Sequence, residues 1–96
     1  LPVPISGIPD FCRRWKVREL AFFGSVLRAD FRDDSDVDVL VTFAPDAEWS
    51  LLDVARMREE LKALFGRETD IVEESAVRNP YMRASIRRSK RVLYAA

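Results

Sequence analysis

The stretch that decides the reading runs from residue 23 to residue 40, FGSVLRADFRDDSDVDVL. Asp33, Asp34, Asp36 and Asp38 crowd into six residues and lead straight into the apolar run Val39-Leu40-Val41. Packing gains nothing from four like charges at the mouth of a strand, and they repel one another. What collects those charges, and whether Gly24-Ser25 just upstream belongs to the same device, is the question the sequence poses.

Downstream of the acids, Val37, Val39, Val41 and Phe43 alternate with Asp36, Asp38, Leu40 and Thr42, the period-two pattern of a strand. Asp36 and Asp38 therefore share a face, with Cα atoms about 6.6 Å apart from the strand rise. Two carboxylates at that spacing can converge on one or two hard cations, which prefer oxygen ligands. The plainer alternative is a solvated strand end whose acids serve solubility, and these residues alone leave both readings open.

The rest of the chain bounds the answer. Ninety-six residues, 48% hydrophobic and 33% charged, fit one small globular unit. Formal net charge is zero, so no global field draws the chain to nucleic acid or an anionic membrane. No apolar run approaches the roughly 18 residues of a membrane span, and the N-terminus lacks a signal-peptide layout. Cys12 is the single cysteine, which excludes an internal disulfide and fits a cytoplasmic setting. Charge is unevenly spread: residues 30–48 hold seven acids against one base, Arg32, and residues 78–91 hold six bases and no acid.

Working outward, residues 1–7, with Pro2 and Pro4, read as an extended arm and residues 8–96 as a single domain. Ile8, Phe11, Cys12 and Trp15 recur at helical spacing and place a short helix over about 9–16. Leu20–Phe23 is a compact buried strand ending at Gly24-Ser25, a turn. Val26–Ala29 reads as one helical turn and 30–35 as an acidic loop. After the strand at 36–43 and a loop at 45–49, Ser50 and Asp53 form a capping box for a helix over 51–65 that Gly66 stops. Its apolar stripe is Leu51, Val54, Ala55, Met57, Leu61, Leu64 and Phe65. A third strand at 68–73, a helix opened by Asn79-Pro80 and running to about Ser89, and an edge-like strand at 92–94 complete the pattern. Alternating helices and strands predict an α/β (α+β) fold, a small mixed sheet of about four strands flanked by helices.

Two familiar acidic motifs fail on spacing. A calcium loop starting at Asp34 puts Val39 where the turn needs glycine and Pro45 where the bidentate glutamate belongs. An Asp-x-Asp phosphatase of the haloacid dehalogenase type wants threonine at position 40, which is leucine. No Gly-x-x-x-x-Gly-Lys phosphate loop is present.

What remains is Gly24-Ser25, ten residues, then Asp36-Val37-Asp38. With FGSVLRADF (23–31), DSDVDVLVTF (34–43), GRETDIVEE (66–74) and RNPYMRASIRRSKRVLYAA (78–96), this ordered set resembles the minimal nucleotidyltransferases of the DNA polymerase beta superfamily. The likeness extends over about residues 8–96. It implies a nucleotidyltransferase fold and a Mg²⁺-dependent transfer of a nucleoside monophosphate, AMP from ATP, to an acceptor hydroxyl. Gly24 and Ser25 would bind the triphosphate, with Arg28 a further nucleotide-binding candidate. Asp36 and Asp38 would hold one or two Mg²⁺ ions. Asp70, in TDIV, would complete the second metal site and help activate the acceptor.

The residues make chemical sense of that implication. A donor-rich turn at Gly24-Ser25 suits terminal phosphate oxygens, and glycine lets a phosphate approach closely. The chain departs from the family pattern at Val26 and Ala29, where many relatives carry arginine and glycine. In the resembling group the usual partner is a HEPN-fold RNase toxin, whose tyrosine receives AMP, so the nucleotidyltransferase acts as antitoxin. Two other classes compete with this reading. One is a binding module that silences its partner by contact alone, which the intact set Gly24, Ser25, Asp36, Asp38 and Asp70 disfavours. The other is an RNA-binding accessory using the basic C-terminal helix, disfavoured by neutral net charge and the lack of interleaved aromatics. Arg83 and Arg87 share a helix face and suit polyphosphate, RNA or an acidic partner as well as plain solvent. Trp49 reads as a loop contact for a partner, and Cys12 and Trp15 as packing.

Overall fold

The computed structural model describes residues 6–24 and 36–96. Within them the order is α1 (Gly7–Arg14), β1 (Val17–Phe23), β2 (Val37–Phe43), α2 (Leu51–Phe65), β3 (Thr69–Glu73), a 3₁₀ turn at Glu74–Ala76, α3 (Pro80–Ser89) and β4 (Arg91–Ala95). The strands form one mixed sheet in the order β3-β2-β1-β4. β1 lies antiparallel to β2 and β4, and β2 runs parallel to β3. A parallel neighbour needs a long crossover, and α2 supplies it. The α/β fold with a four-stranded mixed sheet is as the sequence predicts, and β4 is an edge strand.

Side-chain alternation along β2 divides the interior in two. Val37, Val39 and Val41 are buried with Ile8, Phe11 and Cys12 of α1 and Met57, Leu61 and Phe65 of α2. Leu40 points the other way and packs with Val77 and Ile86, the latter from α3. Helices therefore cover both faces, and Asp38, two residues from Leu40, belongs to the α3 face. A Cβ on Gly7 would run into Leu64 Cδ2, so glycine permits close approach of α1 to α2.

Helix ends follow their local chemistry. The Ser50 hydroxyl accepts from the Asp53 N–H at 3.2 Å, and Asp53 Oδ2 accepts from the Ser50 N–H at 3.0 Å. Those donors hold the Asp53 carboxyl below its ordinary range, the Ser50 backbone N–H first. Gly66 ends α2 in the left-handed region at φ 72°. Asn79 Oδ1 accepts from the N–H groups of Tyr81 and Met82, with Pro80 in the first turn of α3.

Several boundaries differ from the sequence expectation. α1 starts at Gly7, which the extended arm had included, and ends at Arg14 because Lys16 takes a left-handed φ of 55°. β1 begins at Val17 rather than Leu20, since a register shift between Val17 and Glu19 breaks the alternation that would have betrayed it. In α2, burial follows the i, i+4 row Met57, Leu61, Phe65, whereas Leu51 is 90% exposed and Ala55 also faces solvent. Residues 1–5 of the arm, the helical turn Val26–Ala29 and the loop at 30–35 lie outside the described residues.

Candidate active site

β1 and β2 bring the two ends of the opening stretch together. Phe23 pairs with Asp38, so Gly24 leaves the sheet beside that carboxylate. Gly24 has φ 72°, and a Cβ built on it would stand 2.7 Å from Asp38 Oδ2. The glycine is therefore required twice: by its backbone conformation, and by the carboxylate that fills the space a side chain would use. Asp38 is half-buried and Asp36, just before the strand, is exposed.

The third acid arrives from β3. In the parallel ladder Asp38 pairs with Asp70, with Val37 opposite Thr69. Register partners on neighbouring strands share a face with Cα atoms about 4.8 Å apart. Asp70, remote in sequence, thus joins the face of Asp38, whereas Asp36 precedes the strand and has no register partner in the ladder. Its Oδ1 lies 3.6 Å from Arg58 Nη2, and both side chains are half exposed. Among the described residues no three His, Cys, Asp or Glu side chains are gathered as a metal-ligating group.

The donor set nonetheless fits a hard cation. The groups are carboxylate oxygens only, Asp38 and Asp70 share a sheet face across the ladder, and Gly24 leaves room for the Asp38 carboxylate. Asp36 and Asp38, with Asp70 across the ladder, are the residues that could hold such an ion. Ser25 and Arg28, the other sequence candidates, lie outside the described residues, as do Asp33 and Asp34.

The remaining sequence candidates fall elsewhere. Trp49 packs edge-on against Trp15, ring centroids 5.1 Å apart, and its Nε1 donates to the Trp15 carbonyl at 3.0 Å. That removes it as a free contact and makes it part of the core's rim; Trp15 in turn donates from Nε1 to Glu60. Arg83 and Arg87 do share a face. Both lie around Glu74, with Arg87 Nη2 at 3.8 Å from its Oε1. Glu74 Oε2 accepts from the Thr42 hydroxyl at 2.6 Å, the main reason its carboxyl titrates below the ordinary range. A cleft of about 450 Å³ opens there, at the C-terminal end of β2 and away from the three acids. Cys12 is fully buried, and burial pushes its thiol up to about 12, so it is packing rather than chemistry. Sequence reasoning missed Arg58, which belongs to no motif, and the part played by Glu74 at the end of GRETDIVEE, because only the tertiary fold reveals what they face.

Comparison with known proteins places these features in a family. The nucleotidyltransferase domain family matches residues 7–93. The chain belongs to that family. It is 38% identical over 74 residues to the protein adenylyltransferase MntA of Thermococcus cleftensis, covering 77% of this chain and 73% of that one. A solved structure assigned as a minimal nucleotidyltransferase is 35% identical, with TM-score 0.71 and coverage of 90% of this chain and 85% of the other. The fold also matches a complex of the Shewanella oneidensis HEPN toxin, tri-AMPylated, with its MNT antitoxin. There the identity is 15% and the TM-score 0.65, over 96% of this chain and 70% of that one. The chain is therefore a nucleotidyltransferase of the minimal group that its sequence resembles. No helix among the described residues is long and apolar enough to cross a membrane.

Proposed function

We propose that this nucleotidyltransferase moves AMP from ATP, in the presence of Mg²⁺, to a tyrosine hydroxyl of a HEPN-type RNase partner and thereby neutralises it. The observation that carries the proposal is the register match of Asp38 with Asp70 beside Gly24, which sets carboxylates from two strands on one face of the sheet. Support for the adenylyl group and the protein acceptor comes from the name of the Thermococcus relative and from the AMPylated HEPN complex whose fold this chain shares.

The roles divide by position. Asp36 and Asp38 would hold the metal ion, and Gly24 and Ser25 would receive the triphosphate. Bound Mg²⁺ would offset the charge that builds on the leaving pyrophosphate during in-line attack at the α-phosphorus. Asp70, on the edge strand and half exposed, serves the acceptor side by taking the proton of the incoming hydroxyl. Excluding water and orienting the acceptor is work a docked partner can do.

The test mixes the chain with its partner RNase, ATP and Mg²⁺, and follows the partner's tyrosines by mass spectrometry alongside its RNase activity. An AMP adduct that disappears in the double variant Asp36→Asn, Asp38→Asn, together with recovered RNase activity, is the expected result. Neutralisation that persists in that variant with no adduct would establish the contact-only binding module instead.

A further inference from the structure

We infer that Arg58 is a positioning residue that acts through Asp70, an inference resting on the proposed role of Asp70 as acceptor-side carboxylate. Successive carbonyls of a strand point to opposite sides. The Glu68 carbonyl accepts from Val37 N–H at 2.9 Å, toward β2, so the Thr69 carbonyl faces the outer edge of the sheet. Arg58, reaching from α2, meets it there with Nε at 3.3 Å. Its Nη2 simultaneously lies 3.6 Å from Asp70 Oδ1. One planar fork thus spans a backbone carbonyl and the next residue's carboxylate around the rim of β3.

A half-exposed ion pair of this kind contributes little to stability, so packing gives no reason for the arrangement. Its consequence is orientational. With one oxygen facing a planar guanidinium at 3.6 Å, the Asp70 carboxylate is biased toward that orientation, on the face shared with Asp38. The neighbouring charge of Asp38 would otherwise drive Asp70 toward solvent. A lysine would supply the charge but not the fork.

The experiment uses the full chain with its partner. Arg58→Met keeps the apolar stem and removes the fork. It should lower AMP transfer by about 10–100-fold, the usual loss when a residue supporting a functional ligand is removed. Mg²⁺-ATP affinity should stay within a few-fold, and the urea midpoint should barely move. Combined with Asp70→Asn, it should add no further loss, because both changes remove one unit. Independently of activity, the Arg58 Nε–H resonance in the free protein should shift on Asp70→Asn and stay put on Asp36→Asn. Additive losses, an affinity that falls as far as the rate, or an unmoved resonance each overturn the inference. Full transfer by Asp70→Asn would overturn the acceptor-side role itself, and Arg58's with it; a shifted resonance would then leave only a structural pair.

Discussion

Two glycines provide a matched pair of substitutions. Gly24 and Gly66 both adopt φ 72°, but a Cβ on Gly24 would meet Asp38 Oδ2 at 2.7 Å, and one on Gly66 would meet nothing within 4 Å. Gly24→Ala and Gly66→Ala therefore carry the same backbone penalty, about 1–2 kcal/mol for a left-handed L-residue. Only the first adds a steric demand. Ordinary contact begins at 3.4 Å, so the Asp38 carboxylate must retreat by about 0.7 Å. That atom is the end of a side chain, so it rotates away and the strand stays. Urea unfolding should then place the two variants within about 1 kcal/mol of each other. Function should separate them, since a displacement approaching 1 Å at reacting groups costs on the order of 100-fold. Calorimetry should show Mg²⁺-ATP binding retained in Gly66→Ala and strongly weakened in Gly24→Ala. Equal binding by both variants would refute the idea that Gly24 exists to seat Asp38.

Other consequences are open to measurement. Asp36→Asn with Asp38→Asn should abolish the heat of Mg²⁺-ATP binding; an unchanged binding isotherm would exclude these acids as metal ligands. Thr42→Val should cost about 1–2 kcal/mol at neutral pH by taking the hydroxyl from the Glu74 carboxylate. Because Glu74 titrates below its ordinary 4.5 in the fold, that contribution is present above 4.5 and fades as pH falls through the lower native value. The gap between wild type and Thr42→Val should narrow on acidification, and a constant gap would contradict the assignment. Leu61→Ala, at a fully buried position, should cost about 2–5 kcal/mol in urea unfolding.

What the sequence made legible is what local chemistry controls. The capping box at Ser50 and Asp53, the stop at Gly66 and the Asn79-Pro80 start carry their structure in a few adjacent residues, and all three stand as read. The strand that carries Asp38 is equally plain, because its alternation has period two, although it starts at Val37 and leaves Asp36 outside. Val17 was not, since the bulge beside it breaks that period. Trp49 reads as a partner contact because the ring it packs on, Trp15, lies far back in the chain. Asp70 enters the sequence reading only through family likeness, and its register opposite Asp38 is a tertiary fact that no local rule encodes.

The crossover itself has a thermodynamic consequence. Asp38 sits on β2, paired on its other side with β1, whereas Asp70 sits on β3, which among the described residues pairs with β2 alone and is tied to the body through α2. Peeling β3 from the rim would part the two carboxylates while the antiparallel core of β1, β2 and β4 stayed paired. A ligand that needs both acids binds only the closed form, so saturating it lifts the cost of that opening by RT ln(1 + [L]/Kd). Amide exchange along Ile71 and Val72 is thus a thermometer for occupancy, slowing as nucleotide rises even where no contact reaches those residues.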